Sequence, residues 1–276
     1  MHPVLIHLGS AIVPSYSFML SLAFLLGGLL FVVRGARRGA PIEKLAGLVL
    51  AAQVAGLVGA RLLFAANVGV SSVETVTALS PGGFAVNGGI ILALAASWLY
   101  VKKSGLPGWA VADWAAPSIA LGIFITKMGC LLGGCCYGKP AGVAWAVEFP
   151  PGSLAASAYG TPHLVHPTQL YEGLAGLALL GVILAVQSRK VFEGQLFLTL
   201  GILYTTVRFL NDFVRGDSRE GFLWNLTQTQ ALSIALGSVA VALFWVRWRA
   251  HQRDATSGPI RDDGRGLPWG AGSSTR

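Results

Sequence analysis

Two short stretches gather most of the residues in this 276-residue chain that could do chemistry. Arg208, Asp212 and Arg215 recur at i, i+4 and i+7, a spacing that lines them along one face of a helix. Two guanidiniums flanking one carboxylate leave a positive balance, suited to gripping a phosphate while the acid orients one fork. Upstream runs His166-Pro167-Thr168-Gln169-Leu170-Tyr171-Glu172. Pro167 fits the first turn of a helix, so Gln169 and Glu172 at i, i+3 share one face of the helix that follows. An acid near a helix start is also favoured by the helix dipole alone. Of the five histidines, only His166 sits in such a cluster.

Three cysteines, Cys130, Cys135 and Cys136, form a CxxxxCC group. This is not the CxxC spacing of a zinc site, so no metal is expected. Three readings stand: a disulfide from Cys130 to one of the adjacent pair, small buried apolar residues, or a nucleophilic thiol. Asn87, flanked by Gly82-Gly83 and Gly88-Gly89, carries an amide that needs a partner in a low-dielectric setting. Glycines of this kind, with Gly133, Gly134 and Gly138, serve either close helix packing or exposure of backbone N–H groups to an anionic ligand.

These residues have to be positioned by membrane helices. The chain is 54% hydrophobic and 12% charged, with a mean hydropathy of +0.63, against about 25% charged residues in an ordinary soluble domain. No Asp, Glu, Lys or Arg occurs between His7 and Arg34, and a secretory signal is disfavoured because the start lacks a basic segment. Long uncharged runs also cover Thr75 to Val101 and Gly221 to Val246. Shorter ones cover Leu45 to Ala60, Trp114 to Thr126, Gly173 to Ser188 and Gly194 to Val207. The expectation is an all-α integral membrane protein, a bundle of about seven transmembrane helices. Residues 1–250 form the membrane domain, with an extracytoplasmic loop at about 133–166, and residues 251–276 form a polar, disordered cytoplasmic tail.

The net charge of +8 would suggest nucleic acid in a soluble protein. Here the cations are mainly topological. With the N-terminus outside and the C-terminus cytoplasmic, all but six of the 20 Lys and Arg fall in cytoplasmic loops or the tail, as the positive-inside rule requires. The six left over are Arg61, Lys127, Lys139, Arg208, Arg215 and Arg219. At 1.5 Å per residue, Arg61 lies about 25 Å from Lys44 and Arg208 about 22 Å from Glu193, deep enough to reach the outer leaflet. One such cation could snorkel. Several at one depth, with acids among them, point to a shared polar cavity.

The residues resemble those of the bacterial prolipoprotein diacylglyceryl transferases. The match runs in order through SYSFML (Tyr16), GARLLF (Arg61), GGFAVNGG (Asn87), ADWAAPSIALG, KMGCLLGG (Lys127), the later Gly138, HPTQLYE, RFLNDFVRGD and TQTQALS. The resemblance implies a seven-helix, multi-pass inner-membrane enzyme without a cofactor. It would move the diacylglyceryl group of phosphatidylglycerol, or a related anionic phospholipid, onto the lipobox cysteine of a preprolipoprotein. By position, Arg208 would hold the phosphate, supported by Arg61, Lys127 and Arg215. Tyr16, Gln169 and Gly138 would line the cavity, and Glu172 and Asp212 would organise the cations. The chain departs from the family where Asn87 replaces a His, Lys127 an Arg, and Gly133 and Cys135 an Asn and a Glu. An amide cannot take a proton, so His166 or Asp212 would have to supply the base. The alternatives are a paralogue that transfers lipid to another acceptor through Cys130, Cys135 or Cys136, and a non-catalytic phospholipid-binding or transport protein.

Overall fold

The computed structural model describes residues 2–8, 11–68, 86–160, 162–217 and 225–256. The chain opens with an antiparallel ribbon, β1 (Val4–Leu8) against β2 (Ala11–Pro14), paired from Val4 opposite Pro14 to Leu8 opposite Ala11 with a register shift between Val4 and Ile6. The uncharged run after His7 is therefore part strand, and its helix, α1 (Ser15–Ala36), begins only after Pro14. There follow α2 (Ile42–Val68), α3 (Val86–Ser104) and α4 (Gly108–Gly133). A connecting segment holds β3 (Val147–Glu148), a short α5 (Leu154–Tyr159) and β4 (Leu164–Val165), with β3 and β4 paired antiparallel. The last three helices are α6 (Thr168–Gln187), α7 (Gln195–Asp212) and α8 (Gln228–Thr256). The architecture is all-α as expected, with two small ribbons that each pair backbone no helix satisfies.

Among the described residues, seven helices have 18 residues or more, and five are long and apolar enough to cross a membrane: α1, α2, α4, α6 and α8. Their outer faces carry large apolar side chains in the open, such as Leu25 at 66%, Leu50 at 63% and Val246 at 61% exposure. A water-soluble fold would bury such a continuous apolar surface, and a bilayer covers it. The short runs that stop at a charge become full helices that continue through it: Arg61, Lys127, Glu172 and Arg208 all lie inside helices. Helix α8 extends into the expected tail as far as Thr256, and residues 257–276 lie outside the described residues, as do Gly82, Gly83, Arg219 and the start of the run from Thr75.

The described residues group into two compact units. One draws on the described residues within 2–30 and 112–256. Its apolar core joins Ala116 and Ala120 of α4, Leu179 and Ile183 of α6, and Leu196 and Leu200 of α7. Gly176 lies so close to Ile123 and Phe124 that a Cβ would stand 2.9 Å from Ile123, which lets α4 and α6 approach. Asp113, 1% exposed, sets the start of α7: its carboxylate accepts from Gly194 N at 2.8 Å and Phe197 N at 3.0 Å, and meets Lys190 at 2.9 Å. The other unit, residues 31–111 as described, is an α2–α3 hairpin with Lys44 Nζ donating to Ser104 O at 2.7 Å. Gly59 and Gly88 face each other there, and a Cβ on either would strike the other's carbonyl. Gly88 and Gly89 are thus packing glycines.

Candidate functional site

Glu172 is the hub of the first unit. Its carboxylate, wholly buried in the first turns of α6, receives the Tyr204 hydroxyl on Oε1 at 2.8 Å. On Oε2 it receives Asn211 Nδ2 at 3.2 Å and Lys127 Nζ at 3.0 Å, and Arg215 Nη1 stands 3.8 Å away. Four side chains therefore converge on one anion, which is what a buried carboxylate needs to stay charged. Two of these partners follow from helical spacing: Tyr204 and Asn211 lie at i and i+7 of α7 and share a face with Arg208 at i+4. Tyr204 and Asn211 were not singled out from sequence. Their signal was this register with Arg208, and the Asn of RFLND read as an ordinary polar residue.

Arg208 and Asp212 form the expected i, i+4 pair, Nη1 to Oδ1 at 3.1 Å. Asp212 is 2% exposed and also accepts the Thr227 hydroxyl on Oδ2. Thr227 is locked in turn, its N–H to Gln230 Oε1 and its Oγ1 to Gln230 N, both at 3.0 Å. Both carboxylate oxygens of Asp212 are thus engaged, one by Arg208 and one by Thr227.

The helical face does not reach Arg215, because α7 ends at Asp212. Arg215 lies in a turn, bridged in antiparallel fashion to Gly138. Its side chain reaches Asp217 Oδ2 at 2.7 Å, and Nε lies 4.0 Å from Asp212 Oδ1. Burial raises the Asp217 carboxyl's affinity for its proton, against the pull of Arg215. Gly138 is needed for closeness: a Cβ would collide with the His166 carbonyl, and its N–H is spent on that carbonyl at 3.1 Å. Gly138 is thus a packing residue and not a backbone donor to ligand.

The expected excess of positive charge is also corrected. Lys127, Arg208 and Arg215 are matched by Glu172, Asp212 and Asp217, since buried cations need counter-charges. The arrangement is layered, however. The Lys127 and Arg208 side chains keep 14% and 17% of their surface, while those of Glu172 and Asp212 keep none. The cations keep some surface and the acids are closed off behind them. Among the described residues, Gln169 Oε1, Asn211 Oδ1 and Arg215 Nε are buried without a hydrogen bond, leaving unused polar capacity around the cluster.

Cys130, Cys135 and Cys136 are unbridged in the structure, so of the three readings the disulfide is not the one drawn. Their sulfurs lie within 4.8 Å of one another. Gly134 takes φ +71° after α4, and Cys135 N returns to Cys130 O at 3.2 Å, folding the pair back over the helix end. Two wholly buried residues of α6 fix this loop: Gln169 Nε2 donates to Cys135 O at 2.7 Å and Thr168 Oγ1 to Cys136 O at 2.6 Å. Gln169 therefore supports the cysteine loop as much as it lines a cavity. Hydrogen bonds from Cys130 and Cys135, with the charges of Lys127 and Arg215, hold the Cys136 thiol below the ordinary range. Tyr16 of α1 packs beside Gly129 and Gly133 and is in electrostatic reach of the three thiols.

His166, half-buried, has Nδ1 3.1 Å from the Tyr171 hydroxyl, which Trp145 Nε1 also contacts at 2.7 Å. Arg61 and Asn87 belong to the other unit. Arg61 is buried in α2 at 6% exposure, and Asn87 is exposed in the first turn of α3.

A thiol cluster thus lies beside layered cations and acids on apolar helices. In sequence comparison, a family profile described as prolipoprotein diacylglyceryl transferase matches residues 3–246, and the chain belongs to that family. Curated relatives bear the name phosphatidylglycerol-prolipoprotein diacylglyceryl transferase. One from Dehalococcoides mccartyi (strain BAV1) is 33% identical over 259 residues, covering 91% of this chain and 95% of the relative. One from Clostridium tetani is 29% identical over 248 residues, covering 88% and 97%. One from Geobacillus kaustophilus is 31% identical over 248 residues, covering 88% and 92%.

Proposed function

We propose that this chain transfers the diacylglyceryl group of phosphatidylglycerol to the lipobox cysteine thiol of a prolipoprotein. It does so as a multi-pass enzyme at the outer face of the bacterial inner membrane, with seven spans, an outward N-terminus and a cytoplasmic C-terminus. The observation that carries the reading is the layering of the charge cluster. Lys127 and Arg208 stand at its opening, backed by the buried Glu172 and Asp212.

Arg208 has one edge on Asp212 and offers the rest of its fork to the phosphodiester, with Lys127 and Arg215 sharing the charge. The acceptor sulfur attacks the glyceryl carbon that carries the phosphate. The carbon–oxygen bond breaks, and glycerol phosphate leaves with the added negative charge. Cations fixed in a dry site stabilise that developing charge most. An apolar groove between α7 and α8, about 600 Å3 and lined by Ile202, Phe209, Ile234, Val241 and Trp245, offers the acyl chains a place beside Arg208's helix. His166 is left as the base proposed from the sequence, since both Asp212 oxygens are engaged.

The test is purified full-length protein with radiolabelled phosphatidylglycerol and a lipobox peptide, beside Arg208→Ala and His166→Ala. Label on the peptide from the wild type alone supports the reading. Tight lipid binding with no label on any product favours a binding or transport protein, and label retained on the enzyme favours a cysteine intermediate.

A further inference from the structure

We propose that Cys130, Cys135 and Cys136 form a three-thiolate zinc site whose open fourth position takes up the acceptor thiol. The acceptor half of this rests on the transfer reading above, and the metal half does not.

The geometry comes first. Three sulfurs bound to one zinc at about 2.3 Å stand about 3.8 Å apart, and these three lie within 4.8 Å of one another without any ion. Closing onto a metal requires side-chain adjustments of about 1 Å or less. Among the described residues the group contains these three donors and no fourth. Three protein ligands with one exchangeable position is the arrangement of zinc sites that do chemistry, whereas four fixed ligands mark structural ones.

The loop is also held in shape at a cost. Cys136 has φ +58°, a left-handed backbone uncommon for a residue with a Cβ. Two wholly buried side chains, Thr168 and Gln169, pin the carbonyls of Cys136 and Cys135. Buried apolar cysteines would need neither the strained backbone nor paired anchors. A ligand loop needs both, because second-shell bonds fix the direction of each donor. The surroundings suit the charge as well: the positive charges of Lys127 and Arg215 act on Cys136, which offsets three thiolates on a divalent ion.

The chemistry then follows. Zinc does not change oxidation state, so the step needs no oxidant or reductant. The acceptor thiol binds the fourth position and loses its proton to His166 or to water. Its sulfur, still electron-rich, forms the new carbon–sulfur bond as the phosphate oxygen departs, and the thioether product, a weaker ligand than the thiolate, leaves the ion. A metal held beside the phosphate-gripping cations thus supplies what an amide at Asn87 cannot.

The test uses the full chain in detergent, purified without chelator, then stripped and titrated with Co2+ and with Zn2+. One Co2+ per chain with thiolate charge-transfer absorption is expected, weakened more than about 10-fold in Cys135→Ser. A disulfide in the freshly purified protein, or fully reduced thiols that give no charge-transfer band, overturns the site. As the wild type is read directly, a variant that fails to fold does not cloud this arm. In the peptide assay, stripping should slow transfer roughly 100-fold, with Zn2+ restoring it and the peptide altering the Co2+ spectrum. Full-rate transfer by stripped enzyme overturns the acceptor half. Stoichiometric Co2+ binding with no transfer from any form overturns the transfer reading and leaves the metal site standing.

Discussion

Lys127 of α4 and Glu172 of α6 meet at 3.0 Å, the lysine partly open and the glutamate wholly closed off. The contact ties two helices at the depth where the cluster begins. It also means that the lysine's charge is available only because a counter-charge stands permanently behind it.

Glu172→Gln should therefore be costly although nearly isosteric. It leaves Lys127 and Arg215 facing a neutral amide in a buried setting, for which a loss of about 3 kcal/mol or more is expected. Thermal unfolding in detergent measures it, and an unchanged midpoint would show that solvent already screens the cluster.

Arg208→Ala should lower diacylglyceryl transfer by roughly 100- to 1,000-fold, as removal of a single oxyanion donor does elsewhere. Arg208→Lys keeps the charge and loses the planar fork, so only part of the rate should return. A lysine variant at wild-type rate would reduce the role of Arg208 to that of a point charge.

Asp113→Asn should act on stability alone. Its carboxylate caps the first turn of α7 through Gly194 and Phe197 and holds Lys190, so a loss of about 1–2 kcal/mol is expected. Proteolysis near residues 188–194 should quicken, while the transfer rate per folded molecule stays the same. A rate change without destabilisation would contradict this division.

Gly88→Ala places a methyl group against the Gly59 carbonyl and the Leu63 side chain, and should cost about 1–3 kcal/mol by overpacking. Gly122→Ala is the matched control, since nothing lies within 4 Å of the added carbon. Equal melting points for the two variants would mean that the α2–α3 contact is loose.

Most of the helical frame was legible because hydropathy and charge placement are averages over many residues. The Arg208–Asp212 pair was legible from local spacing. Arg215 was misplaced because i+7 presumes that the helix continues, whereas the turn after Asp212 depends on Gly138 and His166, distant in sequence. The positive excess was misjudged for a related reason: Glu172 and Asp217 neutralise Arg215 only once α6 and the turn are brought together. Tyr204 went unnoticed because a tyrosine in a membrane helix is unremarkable until its hydroxyl is seen on Glu172. The cysteines were read by spacing, which cannot show a chain folded back over a helix end.

Helix α7 carries Arg208 and Asp212 and is not among the five helices apolar enough to cross a membrane unaided. Its bonds run to α6, through Glu172, and to Thr227 at the foot of α8. The order of biogenesis is thereby constrained: α7 should leave the translocon only when its neighbours can shield its charges. An insertion reporter carrying α7 alone should remain on the cytoplasmic side, and one carrying α6 through α8 should integrate. The charges that make the site are also what makes its helix a dependent passenger during synthesis.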